Sequence, residues 1–341
     1  MKINTKGEIM DNLRKVGLTA LAGSLAAVSA HAAEMTVSGA TMLTYTSEDT
    51  SEVTGNPYGM KTNIGFTASG DVNGYTVSYM QTSVDQFAGM SSARLSVDMG
   101  DMGTIAFDQG SGSGLATIDD KTPTAAEEIW DGLDGLTVGG LVGAAGNSGV
   151  FNYVNSMGGV TLNAAGRKGS GAKSSDGASS GAGGSAYDFA LTGDGASMGM
   201  DGLAWGLGYG LADAGEQAQA GGSRSDDEHM TLFANYSFGP ATVGVQRSEI
   251  TKGANAAALV QTDAFGIAFN VNDDLSVSYG ERETTYGNVS AAHVVEDGEG
   301  IAVAYTMGSM KIAGNRNEVT NNDGTAGSSD QMTEIALSFA F

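Results

Sequence analysis

The last ten residues, Met332 to Phe341, alternate: Ile335, Leu337, Phe339 and Phe341 share one parity, and Glu334, Ala336, Ser338 and Ala340 the other. Successive side chains of an extended chain point to opposite faces, so this segment is a strand with one apolar face and one small or polar face. The unit recurs from Ala33 onward, each time over about ten residues and each time followed by a tight Gly/Asn/Asp turn or a longer polar stretch. Met35, Val37, Leu43 and Tyr45 form one stripe, Tyr75, Val77 and Tyr79 another, and Leu203, Trp205, Leu207 and Tyr209 a third. The pattern gives about sixteen segments, an even number that suits antiparallel pairing around a ring. Phe233 breaks the parity of the segment that carries Met230, Leu232, Ala234 and Tyr236. Between Ser148 and Asn155 the parity is open, because Val150 and Asn152 compete with Phe151 and Tyr153.

The second face decides the architecture. It consists of Ser, Thr, Gly, Asn and charges, which make a poor dry core but suit a water-filled lumen. Soluble antiparallel sheets also alternate, yet sixteen such strands would need a large packed interior. Turning the apolar face to lipid and closing the sheet satisfies every backbone group without water. The expected fold is therefore all-β, a transmembrane antiparallel β-barrel of about sixteen strands. Short turns and long polar loops alternate along the chain, as periplasmic turns and external loops do.

The N-terminus sets the compartment. Lys2, Lys6, Arg14 and Lys15 surround the start of an apolar, small-residue run from Val16 to Val28, and Ala30-His31-Ala32 has the form of a cleavage site. Residues 1–32 thus read as a secretory signal peptide, with Met10 an alternative start, and residues 33–341 as the barrel. The apolar run is too short to span a bilayer as a helix, and no later run is long enough.

After residue 32 the chain holds 12 basic and 37 acidic residues, a net charge of −25. That balance argues against a nucleic-acid partner, which needs a basic footprint. It suits solubility, adaptation to salt, or a vestibule that attracts cations. The absence of Cys removes disulfides and thiolate metal sites. His31, His229 and His293 are scattered, and His31 leaves with the signal. No catalytic constellation emerges, and no cofactor or enzymatic activity is expected. Asp226-Asp227-Glu228 and Glu296-Asp297-Glu299 carry oxygen donors of the kind calcium takes. Their spacing matches no defined calcium loop, so solvated external acids are the preferred reading.

The signal peptide, the sixteen alternating segments, the long connection after the fifth and the terminal Phe together resemble the Gram-negative general porins, closest to the alphaproteobacterial type. Phe151–Gly166 (FNYVNSMGGVTLNAAG) looks like that family's strand–turn–strand after its constriction loop. The resemblance implies a homotrimer in the outer membrane of a Gram-negative bacterium, in contact with outer-membrane lipid and lipopolysaccharide. Each barrel would passively admit small hydrophilic solutes. Phe341, with Phe339, would be the signal read by the barrel-assembly machinery.

By the same resemblance, residues 110–147 fold into the barrel as a constriction loop. Its acids are Asp119, Asp120, Glu127, Glu128, Asp131 and Asp134. Residues 124–130 (TAAEEIW) are expected to form a short helix, with Trp130 packing the loop against the wall. Lumenal parity nominates Lys61, Arg94, Arg167, Arg282 and Lys311 as basic wall partners, giving a transverse field that orients dipolar solutes and sets charge preference, with a mild preference for cations expected of the channel. Arg247 and Arg316 fall on the lipid-facing parity and must lie near an interface unless the register differs there. Two other readings remain: a substrate-selective porin, and a secreted or surface structural β protein of the adhesin type.

Overall fold

The computed structural model describes residues 34–48, 55–83, 90–133, 145–146, 148–169, 184–213, 226–251, 253, 259–287 and 294–341. Residues 1–32, the expected signal peptide, lie outside the described residues, as do Asp134 and His293. Sixteen antiparallel strands close into one barrel, each paired with its sequence neighbours, and β1 pairs with β16. β1 (Glu34–Glu48), β2 (Tyr58–Val72), β3 (Tyr75–Ser83), β4 (Met90–Asp98) and β5 (Thr104–Gln109) precede the long connection. β6 (Ser148–Met157), β7 (Val160–Arg167), β8 (Ala186–Asp194), β9 (Leu203–Ala212), β10 (Asp227–Phe238) and β11 (Ala241–Thr251) follow it. β12 (Leu259–Asn270), β13 (Leu275–Gly287), β14 (Glu296–Met307), β15 (Met310–Thr320) and β16 (Ser329–Ala340) complete the ring.

The apolar parity faces outward. Met35, Val37 and Phe151 are 70%, 63% and 65% exposed on the outer surface, where lipid would replace water. The seam is made by the terminal segment: Ala40 pairs with Ala340 and Glu48 with Met332. Phe341 adds two backbone bonds to Gly39, its N–H donating at 2.8 Å and its carbonyl accepting at 3.3 Å.

Several boundaries shift from the sequence reading. β2 runs through Gly70–Val72, and the turn shrinks to Asn73-Gly74, both at positive φ (56° and 86°). Two central residues at positive φ match the right-handed twist of flanking strands, and Asn-Gly adopts them at low cost. In β6 the structure settles the parity: Phe151 points outward, while Val150 and Asn152 are buried on the inner side.

Arg247 and Arg316 do face outward, so the register stands. Arg247 meets the outward Asp263 through two bonds of 2.5 and 2.7 Å, and Arg316 donates to Gln331 at 2.8 Å with Glu318 at 3.9 Å. Both lie on the long-loop side of the apolar positions. On β13 the outward sequence runs Leu275, Val277, Tyr279 and then Glu281, Glu283. Glu296 and Asp297 project from opposite faces of β14, which splits one of the two clusters considered for calcium. Among the described residues no group of three or more His, Cys, Asp or Glu is arranged to hold a metal ion.

Candidate pore constriction

Residues 110–133 of the connection between β5 and β6 enter the lumen and lie along the inner wall. Its root is tied by two carboxylates. Asp108, at the end of β5, accepts from the Ser111 N–H at 3.0 Å and from the Ser113 hydroxyl at 2.7 Å. Asp188, on the inner face of β8, accepts from the Leu115 N–H at 3.0 Å and the Ala145 N–H at 2.6 Å, so one side chain holds both ends of the loop. Between them, Gly114–Ile118 forms a turn of 3-10 helix that buries Leu115 and Ile118 completely.

Those two side chains pack on Ala190, Phe233 and Ile250. Phe233 thus breaks the alternation of β10 because it points inward, 7% exposed, to receive the loop. Burying Leu115 and Ile118 contributes about 2 kcal/mol each to the dock. Leu115 also lies on Gly208, where a Cβ would strike it.

Beyond Ile118 the wall presents a row of glycines. Gly244, Gly266, Gly280 and Gly300 are direct cross-strand partners on β11 to β14. A Cβ on Gly266 would come within 2.8 Å of the Pro123 carbonyl, and one on Gly280 within 2.8 Å of Ile129 Cγ2. Only the missing side chains let the loop approach so closely. The row is flanked by two asparagines in the same register, Asn235 and Asn317. Asn235 Nδ2 donates to the Lys121 carbonyl at 2.6 Å; Asn317 Nδ2 donates to the carbonyls of Glu128 and Asp131 at 3.0 and 2.9 Å. Gln246 donates to the carbonyls of Ile118 and Asp119 and accepts from the Lys121 N–H at 2.6 Å. Ser278 Oγ accepts from the Ala125 N–H at 2.9 Å.

This wall explains a misreading. Residues 124–130 are not helical but a run of bends and turns. Ser278 and Asn317 satisfy the Ala125 N–H and the Glu128 carbonyl, Thr124 Oγ1 donates to the Glu127 carbonyl, and seven residues nucleate a helix poorly on their own. Trp130 does pack on the wall, with the Arg282 guanidinium 5.4 Å from its ring centroid.

The loop acids form a connected line. Asp119 and Asp120 are adjacent, Asp120 hydrogen-bonds to Glu128, Glu127 follows, and Glu127 acts on Asp131. Burial, followed by the neighbouring Asp120 carboxylate, pushes Asp119 up to about 6. Burial pushes Glu128 up to about 7, with Asp120 and Glu127 adding to the rise. Asp131 is raised by burial and Glu127, and Lys61 opposes the rise.

The five wall cations do not confront this line as a set. Lys61 is exposed on the inner face of β2 and within electrostatic reach of Asp131. Arg94 binds the loop root, donating to the Gly112 carbonyl at 3.1 Å and to Asn152, with Asp108 at 3.9 Å. Arg282 is buried and paired with Glu296 at 2.6 Å. Arg167 sits at the long-loop end of β7, donating to the Gly169 carbonyl at 2.8 Å. Lys311 lies beside the turn at Gly308-Ser309, six residues or roughly 20 Å along β15 from Asn317. Sequence parity found the correct face for all five but could not tell which already had a partner. It also passed over Asp188, Asn235, Gln246, Asn317 and the glycine row, whose only signal was lumenal parity.

No protein-family model and no curated protein sequence matches the chain. Solved structures do. An anion-selective porin from Comamonas acidovorans matches with 15% identity over 91% of this chain and 100% of that one, at a TM-score of 0.63. The outer-membrane channel DcaP of Acinetobacter baumannii matches with 14% identity over 91% and 97%, at 0.61. A mutant of Rh. blastica porin matches with 13% identity over 90% and 100%, at 0.60. The fold is that of the sixteen-stranded Gram-negative outer-membrane porins.

Proposed function

We propose that this chain is an outer-membrane porin of the general-diffusion type, a water-filled channel for small hydrophilic solutes and ions with a preference for cations. The observation that carries this reading is the line Asp119–Asp120–Glu128–Glu127–Asp131, held inside the barrel by backbone bonds to the wall. Fixed acids around a narrow aqueous path favour cation entry. The wall arginines that would oppose them, Arg94 and Arg282, are already matched by Asp108 and Glu296. The Comamonas neighbour is named for anion selectivity, and the acidic line here supports the opposite sign for this chain. In this reading the barrel is a homotrimer of the alphaproteobacterial type, its outer surface meets lipid and lipopolysaccharide, and Phe341 with Phe339 addresses the assembly machinery. No reaction is catalysed.

Reversal potentials across a planar bilayer under a KCl gradient test the reading. The wild-type potential should have the sign of cation preference, and Glu127→Gln/Glu128→Gln should move it toward zero. An unchanged potential in the double variant would remove these residues from the permeation path.

Acidification should have a similar effect. Glu128 and Asp119 are charged at pH 8 and largely neutral at pH 5, so cation preference falls across that interval, most steeply between about 7 and 6. The sign for docking is opposite. A carboxyl whose folded pKa is raised binds its proton more tightly in the folded state, so the dock is strongest below the ordinary carboxylate range and weakens as pH rises through about 7. A pH series of reversal potentials, with loop protease resistance measured alongside, checks both trends.

A further inference from the structure

The acidic line does not stop at the loop. Glu334 stands on the inner face of β16, next in sequence to the lipid-facing Ile335, with Thr46 of β1 and Asn315 of β15 as its cross-strand partners. Thr46 Oγ1 donates to its Oε2 at 3.3 Å. Two residues earlier on the same face, Met332 is buried against Gly132, so the far end of the loop is seated beside Glu334. Asp131, Glu127 and Lys61 all lie within electrostatic reach of it. Lys61 approaches from β2 across the seam strand, its side chain exposed and free of any ion pair among the described residues.

We infer that Glu334 and Lys61 are selectivity-determining residues borne by the wall: Glu334 extends the loop's negative line to the β16–β1 seam, and Lys61 attenuates it. This rests on the channel reading. It places the permeation path beside the loop residues seated on Met332, along the inner faces of β16, β1 and β2 at Glu334 and Lys61. The other cations facing the loop are committed elsewhere. Arg282 is paired with Glu296 beneath Trp130, and Lys121 stands beside Asp119 at the opposite end of the line. Lys61 is therefore the wall cation that sets how far the field at the loop tip is neutralised.

The test is the potassium-to-chloride permeability ratio of the full-length refolded protein in planar bilayers. Glu334→Gln should lower the ratio about two-fold or more, the effect of one unit charge roughly 8 Å from the permeating ion in water. Lys61→Gln should raise it by a similar factor. The double variant should return near the wild-type value, and the two effects should shrink together in 1 M salt. Heat-modifiable gel mobility establishes that each variant is a folded barrel. If Glu334→Gln fails to fold, the exposed Lys61 carries the test alone. A conducting wild type whose ratio neither substitution changes, while Glu127→Gln/Glu128→Gln still lowers it, overturns the assignment and leaves the channel reading intact. A folded wild type without conductance overturns both.

Discussion

Asp188→Ala should leave the barrel closed but release the loop, with a larger single-channel conductance and a weaker cation preference than wild type. The Asp188 carboxylate accepts from the N–H groups of Leu115 and Ala145, at the two ends of the connection. Leu115 and Ala145 are fully buried. Without the carboxylate, both donors are orphaned at about 1–3 kcal/mol each. Undocking restores their hydration, so the whole penalty falls on the docked state. Strand pairing of β8 with β7 and β9 does not depend on this side chain. Tryptophan emission offers a direct readout, because the chain has only Trp130, on the loop, and Trp205, on an outward position of β9. In a Trp205→Phe background, release of the loop should shift Trp130 emission to the red. A variant with wild-type emission and conductance would show that the loop is held without Asp188.

Arg282→Met should destabilise the barrel more than Asp188→Ala does. The side chains of Arg282 and Glu296 are 2% and 1% exposed. Glu296 also accepts from the Tyr286 hydroxyl at 2.9 Å and from the Asp323 N–H at 2.8 Å. Removing the guanidinium leaves a buried carboxylate without its counter-charge, which costs about 3–5 kcal/mol. Trp130 loses the cation over its ring at the same time. Replacing both partners, Arg282→Met with Glu296→Leu, should recover most of the loss, since a buried ion pair is often no better than apolar groups of similar volume. Urea denaturation of the refolded barrel separates the outcomes. A double variant as unstable as the single one would mean that Glu296 serves the bonds to Tyr286 and Asp323 more than it serves Arg282.

The barrel was legible in the sequence because its controlling signal is local. Alternation within ten residues assigns each side chain a face, and a polar second face rules out a dry interior. The loop seat was not legible, for reasons that differ by residue. Phe233 announced itself as a parity violation, but only the arrival of Leu115 and Ile118 explains why an aromatic should face a lumen. Gly244, Gly266, Gly280 and Gly300 are four of 53 glycines. They become a feature only when register sets them side by side. The helix expected over 124–130 rested on local propensity, which is weak over seven residues, and the segment is seated instead by bonds from Asn317 and Ser278. For Arg94, Arg282 and Lys311, parity gives the face but neither the height nor the partner, and those two quantities separate a free pore charge from a structural one.

The seam has a consequence for filtering. The loop's far end rests on Met332 of β16, the strand whose pairing with β1 completes the circle. Until that last strand is in place, the narrow part of the passage lacks one side. Closing the ring at this pair and seating the narrow part of the passage are therefore one structural event: a barrel opened between β1 and β16 would lose both together.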